Sequence, residues 1–157
     1  MPNPFQIIAV PMEKFESLLQ LDDEALEANG SRRMVADEQP GYPCRVSLID
    51  AAQGETVLLV PFTHHDVASP YRASGPIFVR ANARMARLAV NEIPAMLRSR
   101  LLSIRAYDER AMMVGDDVAN GSEIEEHISR FFEDQRVKYL HLHNARAGCF
   151  NCRVERA

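Results

Sequence analysis

The chain has no apolar run long enough to cross a bilayer. The apolar stretch near its start, Phe5 to Val10, ends at Pro11 and follows no basic residue, so it reads as neither a membrane span nor a signal peptide. Cysteine is scarce as well: the three residues Cys44, Cys149 and Cys152 cannot all pair, which excludes a disulfide framework and fits a reducing compartment. A cytoplasmic location is the expectation. There is no internal repeat and no low-complexity tract, so solenoids are excluded and order is expected everywhere except the ends and one loop. Strong positive charge is missing too, and with a net charge of -4 nucleic acid is not the expected partner.

What is present is an ordinary globular composition, 46% apolar and 25% charged over 157 residues. That length suits one domain, here 1–157, able to bury roughly two thirds of the surface its unfolded form exposes. The charge is unevenly spread. Residues 1–68 carry 4 basic and 11 acidic side chains, 69–110 carry 8 and 3, and 111–157 carry 6 and 8. All eight cations of the middle third are arginine, suited to bidentate contact with carboxylate or phosphate and equally able to pair with acidic segments of the same fold.

Alternation and helical spacing then divide the chain. Phe5–Val10 predicts a strand, Met12–Gln20 a helix through Phe15, Leu18 and Leu19, and Asp22 caps a second helix that turns Leu26 inward and stops at Gly30. Residues 31–43 are polar and rich in proline, a long loop. Cys44–Asp50 and Glu55–Phe62 predict an antiparallel hairpin closed at Gly54, with its second strand central in a sheet. A strand at Ile77–Arg80, a helix over 83–90, strands at Arg100–Tyr107 and Ala111–Val114, and a loop at 115–121 follow. The capping-box pattern Ser122-Glu-Ile-Glu125 opens a helix over 122–133 carrying Ile124, Ile128, Phe131 and Phe132. The sum is an α+β fold: a mainly antiparallel sheet of about seven strands, with room for one parallel pair between 111–114 and 137–143, and three to five helices.

Chemistry concentrates in Tyr139–Arg153, which holds two of five histidines and two of three cysteines. As a hairpin turning at Gly148 it sorts by parity: Leu140, Leu142, Phe150, Cys152 and Val154 face a core, and Tyr139, His141, His143, Cys149, Asn151 and Arg153 the other side. The loop 63–76 is the second concentration, with His64, His65, Asp66, Ser69, Tyr71, Arg72 and Ser74 on a sheet-borne loop of the kind that carries sites. The two are expected to lie together.

Four readings follow. The first is a pocket for a small anionic molecule, lined by His64, His65, Tyr71, Arg72, Arg105, His141, Asn144 and Arg146. The second is a Cys-His enzyme, in which Cys149 opposite His143 acts as nucleophile, oriented by Asn144 or Asn151. The third is metal binding, with His141, His143 and Cys149 as candidate ligands and zinc as the ion they would suit; strand parity sets Cys152 against joining them. The fourth has no site at all, only histidines on a solvated sheet face and cysteines as small buried hydrophobes.

Several phrases also travel together: Tyr42-Pro-Cys-Arg-Val-Ser-Leu, Asp50-Ala with Gly54-Glu, Ser69-Pro-Tyr-Arg, Ser74-Gly-Pro-Ile-Phe-Val-Arg, Leu102-Ser-Ile-Arg-Ala-Tyr-Asp, and His141-Leu-His-Asn-Ala-Arg with Gly148-Cys-Phe. In these the chain resembles the bacterial family catalogued as domain of unknown function 1203, from about residue 40 onward. The resemblance implies a stand-alone bacterial domain and carries no mechanism.

Overall fold

A computed structural model describes residues 3–157. The fold is α+β with every ladder antiparallel among the described residues, but its eight strands form two sheets rather than one. The larger has the order β1-β8-β7-β5-β6, from β1 (Phe5–Ile8), β5 (Leu101–Tyr107), β6 (Met113–Asn120), β7 (Tyr139–Asn144) and β8 (Phe150–Arg156). The smaller has the order β2-β3-β4, from β2 (Arg32–Val35), β3 (Thr56–His65) and β4 (Ala73–Arg80). Among the described residues no helix is long and apolar enough to cross a membrane.

The large sheet turns one face to a helix. Leu102, Ile104 and Ala106 of β5, Leu140 and Leu142 of β7, and Cys152 and Val154 of β8 alternate onto that face and are buried with Ile124, Ile128 and Phe132. Those last three are the stripe of α4 (Ile124–Phe131) and its C-cap. Spaced four apart they cover one side of the helix, and each such fully buried side chain stabilises the fold by about 1.5–3 kcal/mol. The small sheet has its own buried set, Leu58 and Val60 of β3 with Ile77 and Val79 of β4, joined by Leu26, Cys44, Val46 and Phe150. Leu26 belongs to α2 (Asp23–Ala28), which Asp22 caps by accepting from the Ala25 amide at 2.8 Å.

Four segments differ from the sequence-based expectation, each because tertiary hydrogen bonds override local pattern. Cys44–Asp50 is no strand but a compact buried turn. The Cys44 amide donates to the Ile49 carbonyl and that of Leu48 to the Cys44 carbonyl, with Leu48 at a φ of 54°. Its place beside β3 is taken by β2, which lies inside the expected loop 31–43 and pairs with β3 from Arg32↔Leu59 to Val35↔Thr56. The expected helix 83–90 is irregular chain instead, since the Ala86 amide donates to the Val46 carbonyl and Arg87 bridges to Ile8. The expected loop 115–121 is mostly β6, an edge strand whose Asp116 and Asp117 are the charged residues that keep such an edge from pairing further. The room left for a parallel pair is unused: β7 pairs antiparallel with β5. The helix at 122–133 begins as a 3-10 turn, Gly121–Glu123, and no side chain caps α4.

Candidate functional site

The other face of the large sheet is polar, and its arrangement begins with a single extra residue. β7 and β8 pair as Tyr139↔Glu155, Leu140↔Val154, His141↔Arg153 and Leu142↔Cys152, after which the register shifts and His143 meets Phe150. Asn151 is the residue left over, a bulge. The expected parity therefore holds for Leu140, Leu142, Cys152 and Val154 but fails for Phe150, whose ring lies with the histidines at 4.9 Å from His141 and 5.6 Å from His143. Asn151 is fully buried and donates to Asn144 Oδ1 at 2.6 Å.

A second bulge, in β3 between Phe62 and His65 against β4, brings both His64 and His65 to this face. The rings of His64 and His65 lie 6.1 and 4.9 Å from that of His141, and His64 lies 4.9 Å from His143 while stacking on Phe150 at 5.2 Å. The histidines of the last hairpin and those of the segment 63–76 thus meet, but that segment is not the loop expected from sequence: Thr63–His65 end β3 and Ala73–Pro76 begin β4, which leaves only 66–72 between the strands. Tyr107 and Tyr139, cross-strand partners on β5 and β7, stack at 5.3 Å, with Tyr71 at 6.1 Å from Tyr107. Arg153 lies 3.9 Å above the Tyr139 ring and pairs with Glu155 at 2.7 Å.

Hydrogen bonds fix two tautomers, because a carbonyl can only accept. His65 Nδ1–H donates to the Tyr71 carbonyl at 2.8 Å, so its Nε2 accepts from the Tyr139 hydroxyl at 2.6 Å. His143 Nδ1–H donates to the Gly148 carbonyl at 2.9 Å, leaving a lone pair on Nε2. That atom, His64 Nδ1, His141 Nδ1 and Asn151 Oδ1 are buried without a hydrogen-bond partner, a concentration that native interiors rarely show. Burial pushes the basicity of these rings down, to about 4 for His64, about 2 for His141 and about 3 for His143, helped at His64 and His143 by the Arg105 cation beside them.

Arg105, on β5 opposite His141, completes the face. Its Nε donates to Ser103 Oγ at 3.5 Å. Among the described residues no carboxylate lies within 4 Å of its guanidinium, although Asp116 faces it in register on β6.

The remaining candidates fall elsewhere. Arg72 is exposed and paired with Asp66. Asn144, Arg146 and Cys149 sit at the β7–β8 turn, lining two small clefts whose walls include none of the four histidines. Cys149 lies outside the strands. The enzyme reading set it opposite His143, but the shift at Asn151 gives that place to Phe150. Among the described residues no group of three or more His, Cys, Asp or Glu side chains is placed to hold a metal ion, so His141, His143 and Cys149 do not form the zinc set considered from sequence. A groove of about 630 Å³ runs past Glu27, Arg32 and Pro61 and holds none of these groups, so a large volume does not mark the chemistry here. Sequence reasoning missed Arg45, Arg100 and the part of Tyr107, which nothing in the local pattern sets apart from other arginines and strand aromatics.

Two antiparallel sheets, with a helix on one face of the larger and a buried set of histidine and tyrosine side chains on the other, define an α+β domain. The chain belongs to the family described as Protein of unknown function (DUF1203), whose profile matches residues 41–156. No curated protein and no solved structure matches it.

Proposed function

We propose that the protein binds a small anionic molecule on the face formed by His64, His65, Tyr71, Tyr107, His141 and His143, with Arg105 as the anchor. The observation that carries this is the guanidinium of Arg105, without a carboxylate partner, beside histidine rings that present three buried nitrogens with no bond of their own. An oxyanion would satisfy Arg105 through charge-assisted hydrogen bonds, and its remaining oxygens would accept from ring N–H groups or share a proton with them. A cation has the opposite prospects, since Arg105 would repel it. Binding rather than catalysis is favoured because the register sets Phe150, and not Cys149, opposite His143. We further propose a cytoplasmic location, supported by three cysteines that are all free thiols.

The test is a titration with inorganic phosphate and with acetate, followed through the ring nitrogen and carbon resonances of the histidines. Saturable shifts at His64, His141 and His143 are expected, larger at pH 5.5 than at pH 8 because an anion beside these rings raises their proton affinity. In Arg105→Gln the affinity should fall about tenfold, the worth of one charge-assisted bond. Shifts that survive unchanged in that variant would remove Arg105 from the site, and no shift with either anion would end the reading.

A further inference from the structure

The turn between β7 and β8 closes a second feature. A cleft of about 200 Å³ is lined by Arg45, Arg100, Asn144 and Cys149 on its polar side and by Leu59, Pro76 and Phe78 on its apolar side. A neighbouring cleft of about 260 Å³ shares Arg100, Asn144 and Ala147 with it and adds Arg146. Arg45 is 1% exposed, a depth at which a guanidinium is costly unless an anion compensates it.

The charges around Arg45 do not balance. Its Nε donates to the Phe150 carbonyl at 2.7 Å and its Nη1 to the Pro43 carbonyl. These neutral acceptors use two of the five N–H donors that the side chain carries. The nearest carboxylate, Asp50, is already held by both terminal nitrogens of Arg100, at 2.9 and 2.6 Å. Two guanidinium groups thus stand at the wall of one cleft, and only that of Arg100 is paired with a carboxylate. Burial, with the Arg100 cation adding to it, holds the Arg45 guanidinium down to about 10.

We propose that this cleft is a second ligand site, one that takes a small organic carboxylate: the carboxylate group is held by Arg45 and Arg100, and the apolar body lies against Leu59, Pro76 and Phe78. The planar fork of arginine matches a carboxylate in two parallel hydrogen bonds. Leu59 and Phe78, cross-strand partners on β3 and β4, supply a flat apolar wall that an inorganic anion cannot use. A volume near 200 Å³ is below the roughly 300–1,000 Å³ of sites for drug-sized ligands, which limits the occupant to a molecule of about benzoate size. The site uses neither Arg105 nor any histidine, so it stands or falls apart from the function proposed above.

Cys149, on the wall and partly exposed, serves as the reporter. Native protein would be alkylated with iodoacetamide in the presence of benzoate, acetate or inorganic phosphate, and the rate at Cys149 read by peptide mass analysis. Benzoate is expected to protect saturably, at roughly tenfold lower concentration than acetate, with phosphate weakest. Arg45→Lys keeps the charge but loses the fork, and should raise the benzoate concentration for half protection about tenfold. Ala147 is exposed in the turn, so Ala147→Phe narrows the cleft without touching the interior, and it should give the same loss even where the arginine variant fails to fold. Arg105→Gln should leave protection as in the wild type. Absence of benzoate protection, protection unchanged in Ala147→Phe, or phosphate equal to benzoate would each overturn the proposal.

Discussion

At the scale of single residues, the fold depends on a few polar side chains as much as on its apolar ones. Arg100 and Asp50 join the turn 44–50 to the start of β5, with side chains only 16% and 12% exposed. Replacing Asp50 by Asn leaves the buried guanidinium of Arg100 beside that of Arg45 with no anion between them. A loss of about 2 kcal/mol is expected, within the range for hydrogen bonds to charged groups, and urea unfolding of the two proteins would measure it. Cys152 and Cys149 give a second contrast. Burial pushes the Cys152 thiol up to about 12 and leaves it no access, whereas Cys149 is partly exposed. Cys149 should therefore be alkylated in native protein while Cys152 reacts only after unfolding. Equal labelling of the two would contradict the placement of β8.

At the scale of elements, the sequence was legible where each segment decides its own conformation and illegible where partners decide it. The stripe of α4, the cap at Asp22 and the alternation of Leu102, Ile104 and Ala106 are local signals, and the structure contains all three. Cys44–Asp50 alternates as a strand does, yet Cys44, Arg45, Val46 and Leu48 are all buried, because the segment contributes to the buried sets of both sheets instead of lying at the edge of one. Nothing local shows that. The histidine face was visible as composition, but its membership was not, since a bulge leaves no mark in an alternating pattern until the partner strand is known. The join between α3 (Ala95–Arg98) and the 3-10 turn before α4 rests on Gly121, where an added Cβ would lie 1.7 Å from the Leu97 carbonyl oxygen. Backbone cannot give way as a flexible side chain can. Gly121→Ala is expected to cost roughly 3 kcal/mol, read as a melting midpoint lower by roughly 10 °C; a midpoint unchanged within error would show the contact to be softer than it looks.

At the scale of the whole molecule, the buried imidazoles make stability depend on pH. The unfolded chain takes up a proton on each histidine below about pH 6.5, whereas the folded chain does so only near 2 at His141 and near 3 at His143. Between those values the unfolded state holds more protons, so stability falls as the solution is acidified, by about 1.4 kcal/mol per pH unit for each ring. Urea midpoints between pH 6.5 and 4.5 should follow that slope, and His141→Gln should reduce it by one ring's share whatever it does to stability at neutral pH. An identical slope in the variant would mean that His141 is protonated in the native protein. The two bulges that assemble this interior also constrain how the chain can change in length. Because one unpaired residue in β3 and one in β8 set which side chains turn to which face, deleting a single residue from either strand would turn the side chains beyond it to the opposite face, in β8 exchanging Cys152 and Val154 for Arg153 and Glu155. Removing two would restore the alternation. Along these strands, lineages of this protein should therefore gain and lose residues in pairs.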